Sequence, residues 1–337
     1  MPSLSAPDFW RRDGAVPRAL QPLGTIYAGI GAFRRSLVSP WRAPVPVICV
    51  GNITVGGTGK TPTALGLASL LKRRGYAVHL LSRGYGGRLS GPVAVDPARY
   101  EAAAVGDEAL LLAEAAPTWI ARDRVAGAKT ASAAGADVLV LDDGFQNPAL
   151  AKDLSLVVVD AGYGFGNGRV LPAGPLLEPL AAGLARADAV VLMDGGDGAR
   201  GVPSSLSGDK PILRARLEPI IDPVLRAGRV IAFAGIGRPD KFFAMLERHG
   251  LDVVARRGFP DHHAYTSDEL VCLGEVAEAA KASLVTTRKD AVRLPKTRPG
   301  AASAAHRVFP IPVEVVWQDE EALGALLDRA LSRGRHA

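Results

Sequence analysis

The sequence predicts an α/β protein in which a larger domain with a parallel β-sheet precedes a smaller α/β domain. Two observations carry this prediction. From Val45 onward, near-continuous apolar segments alternate with segments of helical periodicity, which is typical of a parallel sheet covered by helices on both faces. The same alternation starts again near Gly228, and a chain of 337 residues is long enough for two such domains. We therefore predict an N-terminal segment of residues 1–44, a first domain of residues 45–215 and a second domain of residues 216–337.

The elements of the first domain are predicted from short apolar runs and from apolar residues at helical spacing. Two segments have the helical spacing, residues 61–74 and residues 107–115. The predicted strands are VPVICVGN, AVHLLSR, ADVLVLDD, LSLVVVD and ADAVVLMD. The short run ILRARL, between the two domains, is a further candidate strand.

The second domain repeats this pattern with fewer elements. Its predicted strands are RVIAFA, LDVVA, SLVTT and VEVVW. One helix is predicted through Phe242, and a last helix from Asp319. Ser267 is predicted to cap another helix, because two acidic residues follow it in the first turn, where they complement the helix dipole.

Composition limits the classes of partner. The formal net charge of +6 suits an anionic partner, but aromatic residues make up only 6% and do not alternate with basic ones, which weighs against nucleic acid. The two cysteines, Cys49 and Cys272, form no disulfide framework or metal-binding pattern. Both lie in apolar patterns and are predicted to be small core residues.

Residues 19–33 carry no charge, and arginines lie on both sides of them. A bilayer span needs about 20 apolar residues, and this run is shorter and contains Gln21 and Pro22. The basic flanks suit a helix that lies on an anionic membrane surface. A helix packed on the first domain is the alternative, and the sequence leaves both open.

The segment VGNITVGGTGKTP follows the first strand and leads into a helix, which is the context of a phosphate-binding P-loop. Its glycines allow backbone N–H groups to turn toward a phosphate, Lys60 can reach the β and γ oxygens, and the Thr61 hydroxyl is placed for Mg²⁺. Thr54 stands where the usual pattern has its first glycine. The predicted nucleotide-binding residues of this loop are Thr54, Val55, Gly56, Gly57, Thr58, Gly59, Lys60 and Thr61.

Asp142 and Asp143 end an apolar strand, at the edge where open parallel sheets bind ligands. Carboxylates at this position can hold Mg²⁺ directly or through water. The first domain is therefore predicted to be of P-loop type and to perform phosphoryl chemistry. The phosphate loop and these two aspartates do not by themselves distinguish a kinase from a hydrolytic NTPase.

Eight motifs occur together in a fixed order: VGNITVGGTGKTP, LSRGYGG, VGDEALLLA, DDGFQN, GNGRVLPAGPLLEP, FAGIGRP, FPDHHAYT and TTRKDAVRL. With them the chain resembles the tetraacyldisaccharide 4′-kinase (lipid A 4′-kinase) family, in which threonine in the first glycine position of the loop is usual. The resemblance implies transfer of a phosphoryl group from ATP, with Mg²⁺, to the 4′-hydroxyl of an acylated disaccharide 1-phosphate lipid, which gives the 1,4′-bisphosphate.

The resemblance also implies where and how the enzyme works. It implies a membrane-associated protein at the cytoplasmic face of the bacterial inner membrane, with an N-terminal helix that meets the lipid. It further implies two α/β domains, of which the second closes the active-site cleft. Asp107 of VGDE matches the family's general base, and His262 of FPDHH matches the partner of that base. His263 is the neighbouring alternative, and the sequence does not decide which of the two points inward.

Further site residues are implied by the same comparison. Arg83, Tyr85 and Arg124 match basic and aromatic groups that contact phosphates, and Glu178 matches an acid that assists with Mg²⁺. The chain departs from the family pattern at three positions: Leu177 replaces an arginine, Asn147 a histidine and Arg288 a glutamate. We expect activity despite these departures, because the loop and the acidic residues are kept.

The P-loop and its acids are also compatible with two other functions. A P-loop regulatory ATPase would use the loop to change conformation and act through a protein partner. It would need no base for a sugar hydroxyl, so the pair Asp107 and His262 argues against it. A soluble kinase of a small metabolite would not need the apolar N-terminal segment.

Overall fold

A computed structural model describes residues 7–194, 206, 210–295 and 307–333. These residues form two compact α/β units, and the predicted fold class is confirmed. The larger unit contains the residues up to Leu217 and those from Val315 onward, and the smaller unit runs from Glu218 to Glu314. The sequence-based division gave everything after residue 215 to the second domain, whereas the chain returns to the larger unit for its last strand and helix.

The strands follow the predicted apolar runs, with short strands added at the edges. They are β1 (Val47–Gly51), β2 (Val78–Ser82), β3 (Val93–Ala94), β4 (Thr118–Ile120), β5 (Val138–Asp142), β6 (Leu154–Asp160), β7 (Ala189–Asp194), β8 (Ile212–Pro219), β9 (Arg229–Ala234), β10 (Asp252–Gly258), β11 (Ala282–Thr287), β12 (Val308–Ile311) and β13 (Val313–Trp317).

The helices range from single turns to the long N-terminal helix. They are α1 (Ala15–Ser36), α2 (Lys60–Arg73), α3 (Ala102–Val105), α4 (Asp107–Ala113), α5 (Arg124–Ala133), α6 (Leu180–Arg186), α7 (Pro223–Arg226), α8 (Pro239–Arg248), α9 (Ser267–Ala280), α10 (Arg288–Ala291) and α11 (Glu320–Arg333).

Within the described residues, the strands of the larger unit form one sheet in the order β13-β8-β7-β6-β1-β5-β2-β4-β3, which we call the large sheet. The pairs from β8 to β4 are parallel, and β3 is antiparallel to β4. The central strand β1 lies between β5 and β6. The carboxyl ends of β1, β5 and β2 therefore meet at one edge, where the chain changes direction across the sheet and ligands usually bind.

Helices cover both faces of the large sheet, as its continuously apolar strands predict. Alternate residues of β1 enter different cores: Ile48 and Val50 pack on the face with α2, and Val47 and Cys49 on the face with α5. All five residues of β1 are buried.

The last helix, α11, completes the first of these cores. Its residues Leu323, Leu327 and Leu331 are at most 3% exposed and pack in the same cluster as Leu154 and Leu156 of β6. Arg74, at the end of α2, also pairs with Asp328 of α11 at 3.0 Å. This helix therefore belongs to the larger unit because its apolar face is needed to cover the large sheet.

The smaller unit has a parallel sheet in the order β10-β9-β11-β12. Two of its details differ from the sequence-based prediction. Thr266, not Ser267, is the N-cap of α9, because its backbone is extended and its hydroxyl accepts a hydrogen bond from Glu269 N in a capping box. Cys49 is buried as predicted, but the prediction for Cys272 is wrong, since it is exposed on α9.

The residues that precede the N-terminal helix α1 hold it to the rest of the larger unit. Trp10 Nε1 donates to Pro172 O at 3.1 Å, Asn167 Nδ2 donates to Phe9 O at 3.1 Å, and Arg169 pairs with Asp13. Of the residues of α1, only Pro17 and Gly24 are buried. Among the helices in the described part of the chain, none is both long enough and apolar enough to span a membrane.

Candidate active site

The predicted phosphate loop leads from β1 into α2. Gly56 and Gly59 have φ angles of 109° and 95°, a left-handed conformation that favours glycine, and Gly59 is the N-cap of α2. A Cβ atom placed on Gly57 would meet no protein atom within 4 Å. The loop thus leaves room beside its backbone at the N-terminus of a helix, which fits a phosphate group.

Thr54 replaces a glycine because this part of the loop is extended, not turned. Residues 53–55 pair with residues 175–177: Val55 N donates to Pro175 O and Leu177 N donates to Ile53 O, both at 2.8 Å. The Thr54 side chain is buried in this pairing. Its predicted contact with a nucleotide stays a prediction, and the turn that surrounds a phosphate begins after it.

The acidic residues lie directly beside the start of α2. The Thr61 hydroxyl donates to Asp142 Oδ2 at 2.9 Å, and Lys60 Nζ lies 3.5 Å from Asp143 Oδ1. The other carboxylate oxygen of Asp142, Oδ1, is buried and has no hydrogen-bond partner in the structure. Burial, together with the negative charges of Glu108 and Asp143, raises the pKa of Asp142 well above its ordinary value.

These groups fit a hard divalent cation. Carboxylate and hydroxyl oxygens are suitable ligands, and a cation would satisfy the unpartnered Oδ1 of Asp142. Across the described residues, no cluster of three or more histidine, cysteine, aspartate or glutamate side chains could hold a metal. The protein oxygens that could contact such a cation are therefore those of Asp142 and Thr61.

The motif VGDE places Asp107 at the first turn of α4, next to the loop of the motif SRGYGG. A Cβ atom on Gly106, whose φ is 91°, would lie 2.3 Å from Tyr85 O, so the two motifs pack directly against each other. The Asp107 side chain is 4% exposed, and its Oδ1 accepts a hydrogen bond from Glu108 N at 3.0 Å. Gly106, not Asp107, is the N-cap, so simple capping does not explain the aspartate.

Arg124, the first residue of α5, is a buried cation at the same edge of the sheet. It is 4% exposed, and its Nε has no hydrogen-bond partner in the structure. Burial and the positive charge of Arg83 lower its pKa, and the charges of Asp143 and Asp142 oppose this shift. Arg124 is thus close to Arg83 and to the two aspartates, while Tyr85 is largely exposed, and the contacts of these three residues with phosphates stay a prediction.

Glu178 has a set of contacts that the sequence did not predict. Arg186 Nη2 lies 2.5 and 2.7 Å from its two carboxylate oxygens, and Arg35 lies 3.7 Å away. Arg186 also donates to Phe145 O and lies over the Phe145 ring. Glu178 is thus paired with arginines in this structure, and its role with Mg²⁺ stays a prediction.

Arg186 was missed because nothing in the segment LAAGLARAD distinguishes it. One signal was available, because Leu177 stands where the family often has an arginine. Glu178 is only 1% exposed and still needs a nearby cation, which Arg186 of α6 supplies.

We predict that Arg186→Ala destabilises the protein by about 2 kcal/mol, because it leaves a buried carboxylate with weaker pairing. Urea denaturation measures the loss. Arg73→Ala is the control: Arg73 lies 3.9 Å from Glu320 in an exposed pair, which should contribute less than about 1 kcal/mol. Equal losses in the two variants would contradict the prediction.

His262 lies in the smaller unit, in the loop between β10 and α9. Its side chain is 36% exposed, and its φ is 59°. His263, in contrast, is held within the same loop: its Nε2 lies 3.0 Å from both carboxylate oxygens of Glu269, and its ring stacks on Phe259. His262 Nε2 lies 3.9 Å from Asp261 Oδ1, and the catalytic role of His262 stays a prediction.

Comparisons with known proteins agree with these motifs. The family model "LpxK: Tetraacyldisaccharide-1-P 4′-kinase" matches residues 16–332. A tetraacyldisaccharide 4′-kinase from Rhodospirillum centenum is 54% identical, over 98% of this chain and 97% of the relative. One from Rhodospirillum rubrum is 50% identical, over 97% of this chain and 98% of the relative.

A solved structure shows the same fold. It is LpxK from Aquifex aeolicus, described as an "apo" form in complex with ATP, and it is 30% identical with a TM-score of 0.76. The match covers 94% of this chain and 100% of the other. The chain therefore belongs to the tetraacyldisaccharide-1-P 4′-kinase family.

Proposed function

We propose that this protein transfers the γ-phosphoryl group of ATP to the 4′-hydroxyl of a tetraacyldisaccharide 1-phosphate and releases the 1,4′-bisphosphate and ADP. One observation carries the proposal. The phosphate loop, the Thr61–Asp142 hydrogen bond and the buried VGDE motif all lie at the same edge of the large sheet. The structure of the Aquifex aeolicus relative in complex with ATP supports ATP as the donor.

The loop and its neighbours bind and orient the triphosphate. Backbone N–H groups around Gly57 and the N-terminus of α2 face its negative charge, and Lys60 neutralises the β and γ oxygens. Arg83 and Arg124 supply further positive charge at the same edge. Asp142 and Thr61 would hold Mg²⁺, which when bound neutralises charge on the transferring phosphoryl group.

Asp107 acts as the general base. As the 4′-oxygen bonds to the γ-phosphorus and the bond from phosphorus to the β-γ bridging oxygen breaks, the hydroxyl proton passes to the Asp107 carboxylate. Burial of Asp107 keeps water away from this transfer. His262, which matches the partner of the general base in the family motif, is our second candidate catalytic group, since an imidazole can assist a carboxylate that accepts a proton.

The exposed side of α1 supports action at a membrane surface. Exposed apolar residues recur every three or four positions along α1 and at its C-cap, Leu37, and they form one stripe. We call it the α1 stripe, and its members, all more than half exposed, are Leu23, Ile26, Ile30, Phe33 and Leu37. Arg34, which is exposed, lies beside the stripe and can contact anionic headgroups. We place the protein at the cytoplasmic face of the bacterial inner membrane, where ATP and the lipid acceptor are both accessible.

We expect the double variant Ile30→Glu, Phe33→Glu to partition about 10²-fold less to anionic vesicles. Each apolar side chain that enters the membrane surface contributes about 1.5–3 kcal/mol to the free energy of binding. Vesicle sedimentation measures the partitioning. The control is Val224→Glu, Val271→Glu, which adds the same charge at two exposed valines outside α1. Equal partitioning of both double variants would contradict a membrane role for the α1 stripe.

The function is tested with purified protein, [γ-³²P]ATP, Mg²⁺ and the disaccharide 1-phosphate lipid in mixed micelles, followed by thin-layer chromatography. We expect label in the lipid and ADP formation only when the lipid is present. ATP hydrolysis at the same rate without lipid, and no labelled lipid, would favour the regulatory ATPase instead. Label in a water-soluble sugar but not in the lipid would favour the small-metabolite kinase.

A further inference from the structure

The smaller unit contains a buried ion pair that the mechanism above does not use. Asp290 is fully buried, and the Arg293 side chain, 5% exposed, lies 2.9 Å from it. Both residues come from the motif TTRKDAVRL, for which the sequence suggests no chemistry. Burying two charges is costly and does not by itself stabilise a fold, so the contacts of the pair must explain it.

The Asp290 carboxylate connects three segments of the smaller unit. Its Oδ1 accepts hydrogen bonds from Gly235 N, which follows β9, at 2.8 Å and from the Tyr265 hydroxyl at 2.7 Å. Its Oδ2 accepts one from the Thr287 hydroxyl at 2.5 Å. Burial and the Asp290 charge raise the pKa of Tyr265, so its hydroxyl keeps the proton that it donates.

The Arg293 guanidinium binds the backbone of the same region. Its Nη1 donates to Gly235 O at 3.1 Å and to His263 O at 3.3 Å, and its Nη2 donates to Gly235 O at 3.0 Å. Gly235 O also accepts a hydrogen bond from His262 N at 3.1 Å. The ion pair therefore reaches His262 by two routes, through the next residue in the chain, His263, and through Gly235 O, which accepts the hydrogen bond from His262 N.

His262 itself has a backbone conformation that a residue with a Cβ rarely adopts, with φ at 59°. Such conformations persist where the surroundings determine them, and they often mark functional sites. Here residues 259–265 rest on Gly235, where a Cβ atom would lie 3.0 Å from Pro260 O and 3.1 Å from the Tyr265 hydroxyl. Residues 259–265 are thus held by packing against Gly235 and by hydrogen bonds to Asp290 and from Arg293.

We propose that Asp290, Arg293 and Tyr265 are positioning residues for phosphoryl transfer, which hold residues 259–265 in the conformation that presents His262 for catalysis. This inference rests on the proposed function, in which His262 is a candidate catalytic group. It gives Asp290 and Arg293 of the motif TTRKDAVRL a role that requires no contact with substrate.

Tyr265→Phe tests the proposal, because it removes one hydroxyl and leaves the ion pair in place. We expect kcat to fall about 10- to 100-fold while KM for ATP is unchanged, since misplacement of a catalytic group affects the chemical step. Thr286→Val is the matched control: it removes another buried hydroxyl of the smaller unit, which donates to Phe233 O. It should lower Tm to a similar extent and leave kcat unchanged.

A double-variant cycle separates positioning from loss of stability. In a His262→Ala background, Tyr265→Phe should cause no further loss of kcat, because the group that it positions is gone. Full kcat in Tyr265→Phe, or the same loss in both backgrounds, would overturn the positioning role. A wild-type protein that phosphorylates no lipid would instead overturn the proposed function.

Histidine signals give a readout without turnover. With ¹³C-labelled histidine, the six imidazole groups give few enough NMR signals for His262 to be assigned by substitution. Tyr265→Phe should shift or broaden the His262 signal and leave that of His79, in the larger unit, unchanged. An unchanged His262 signal would contradict the proposal.

Discussion

Asp107→Asn is expected to lower kcat about 10²- to 10⁴-fold, the range for loss of a general base, and to change KM for ATP little. Asparagine keeps the shape of the side chain and an oxygen that can accept the hydrogen bond from Glu108 N. It cannot take a proton from the sugar hydroxyl. Steady-state kinetics with varied ATP and fixed lipid measure both constants.

The comparison with Asp107→Ala distinguishes a base from a structural acid. If the aspartate only stabilised the first turn of α4, asparagine would restore activity that alanine loses. As a control, Asp137→Asn alters an acid that accepts a hydrogen bond from Ala77 N at 2.8 Å in the same unit, and it should keep full turnover. An Asp107→Asn variant with wild-type kcat would remove Asp107 from the mechanism.

Lys60→Ala should have the second large effect, a fall in kcat/KM for ATP of at least about 10²- to 10³-fold. This is the loss expected when one preorganised donor to a developing negative charge is removed. Lys60 begins α2 and lies 3.5 Å from Asp143, so its ammonium group is already at the edge that the triphosphate must approach. Both ATP binding and turnover should suffer, unlike in Asp107→Asn.

Lys72→Ala is the matched control for this variant. Lys72 lies near the other end of the same helix, where its Nζ donates to Ala115 O at 2.7 Å. The variant removes the same charge from α2 without touching the phosphate loop, so it should retain wild-type kinetics. Phosphorylation that survives Lys60→Ala intact would mean that the loop does not bind the nucleotide as proposed.

Local sequence patterns could predict much of this structure. The apolar runs that became β1, β5, β6 and β7 are continuous, and parallel strands buried on both faces require such runs. The glycines and Lys60 carry the loop chemistry in a few consecutive residues. The strand β4, of three residues, and the alanine-rich helix α5 were missed, because neither has enough apolar residues to show a period.

The contacts that complete the site could not be predicted in this way. Thr54 pairs with Leu176, and Arg186 with the buried Glu178, and both contacts depend on how distant segments fold back on the loop. The same holds in the smaller unit, where Tyr265 and Asp290 meet through tertiary packing. Side chains joined only by tertiary packing leave no period or spacing in the sequence.

The discontinuous larger unit has a consequence for synthesis of the protein. The ribosome makes β1 to β8 first, then the whole smaller unit, and only afterwards β13 and α11. Until α11 emerges, the face of β6 that it covers stays open to solvent and to chaperones, for about 5 to 20 s at usual elongation rates. The nascent chain is thus most prone to aggregation late in translation, and loss of the final helix should impair yield far more than its distance from the phosphate loop suggests.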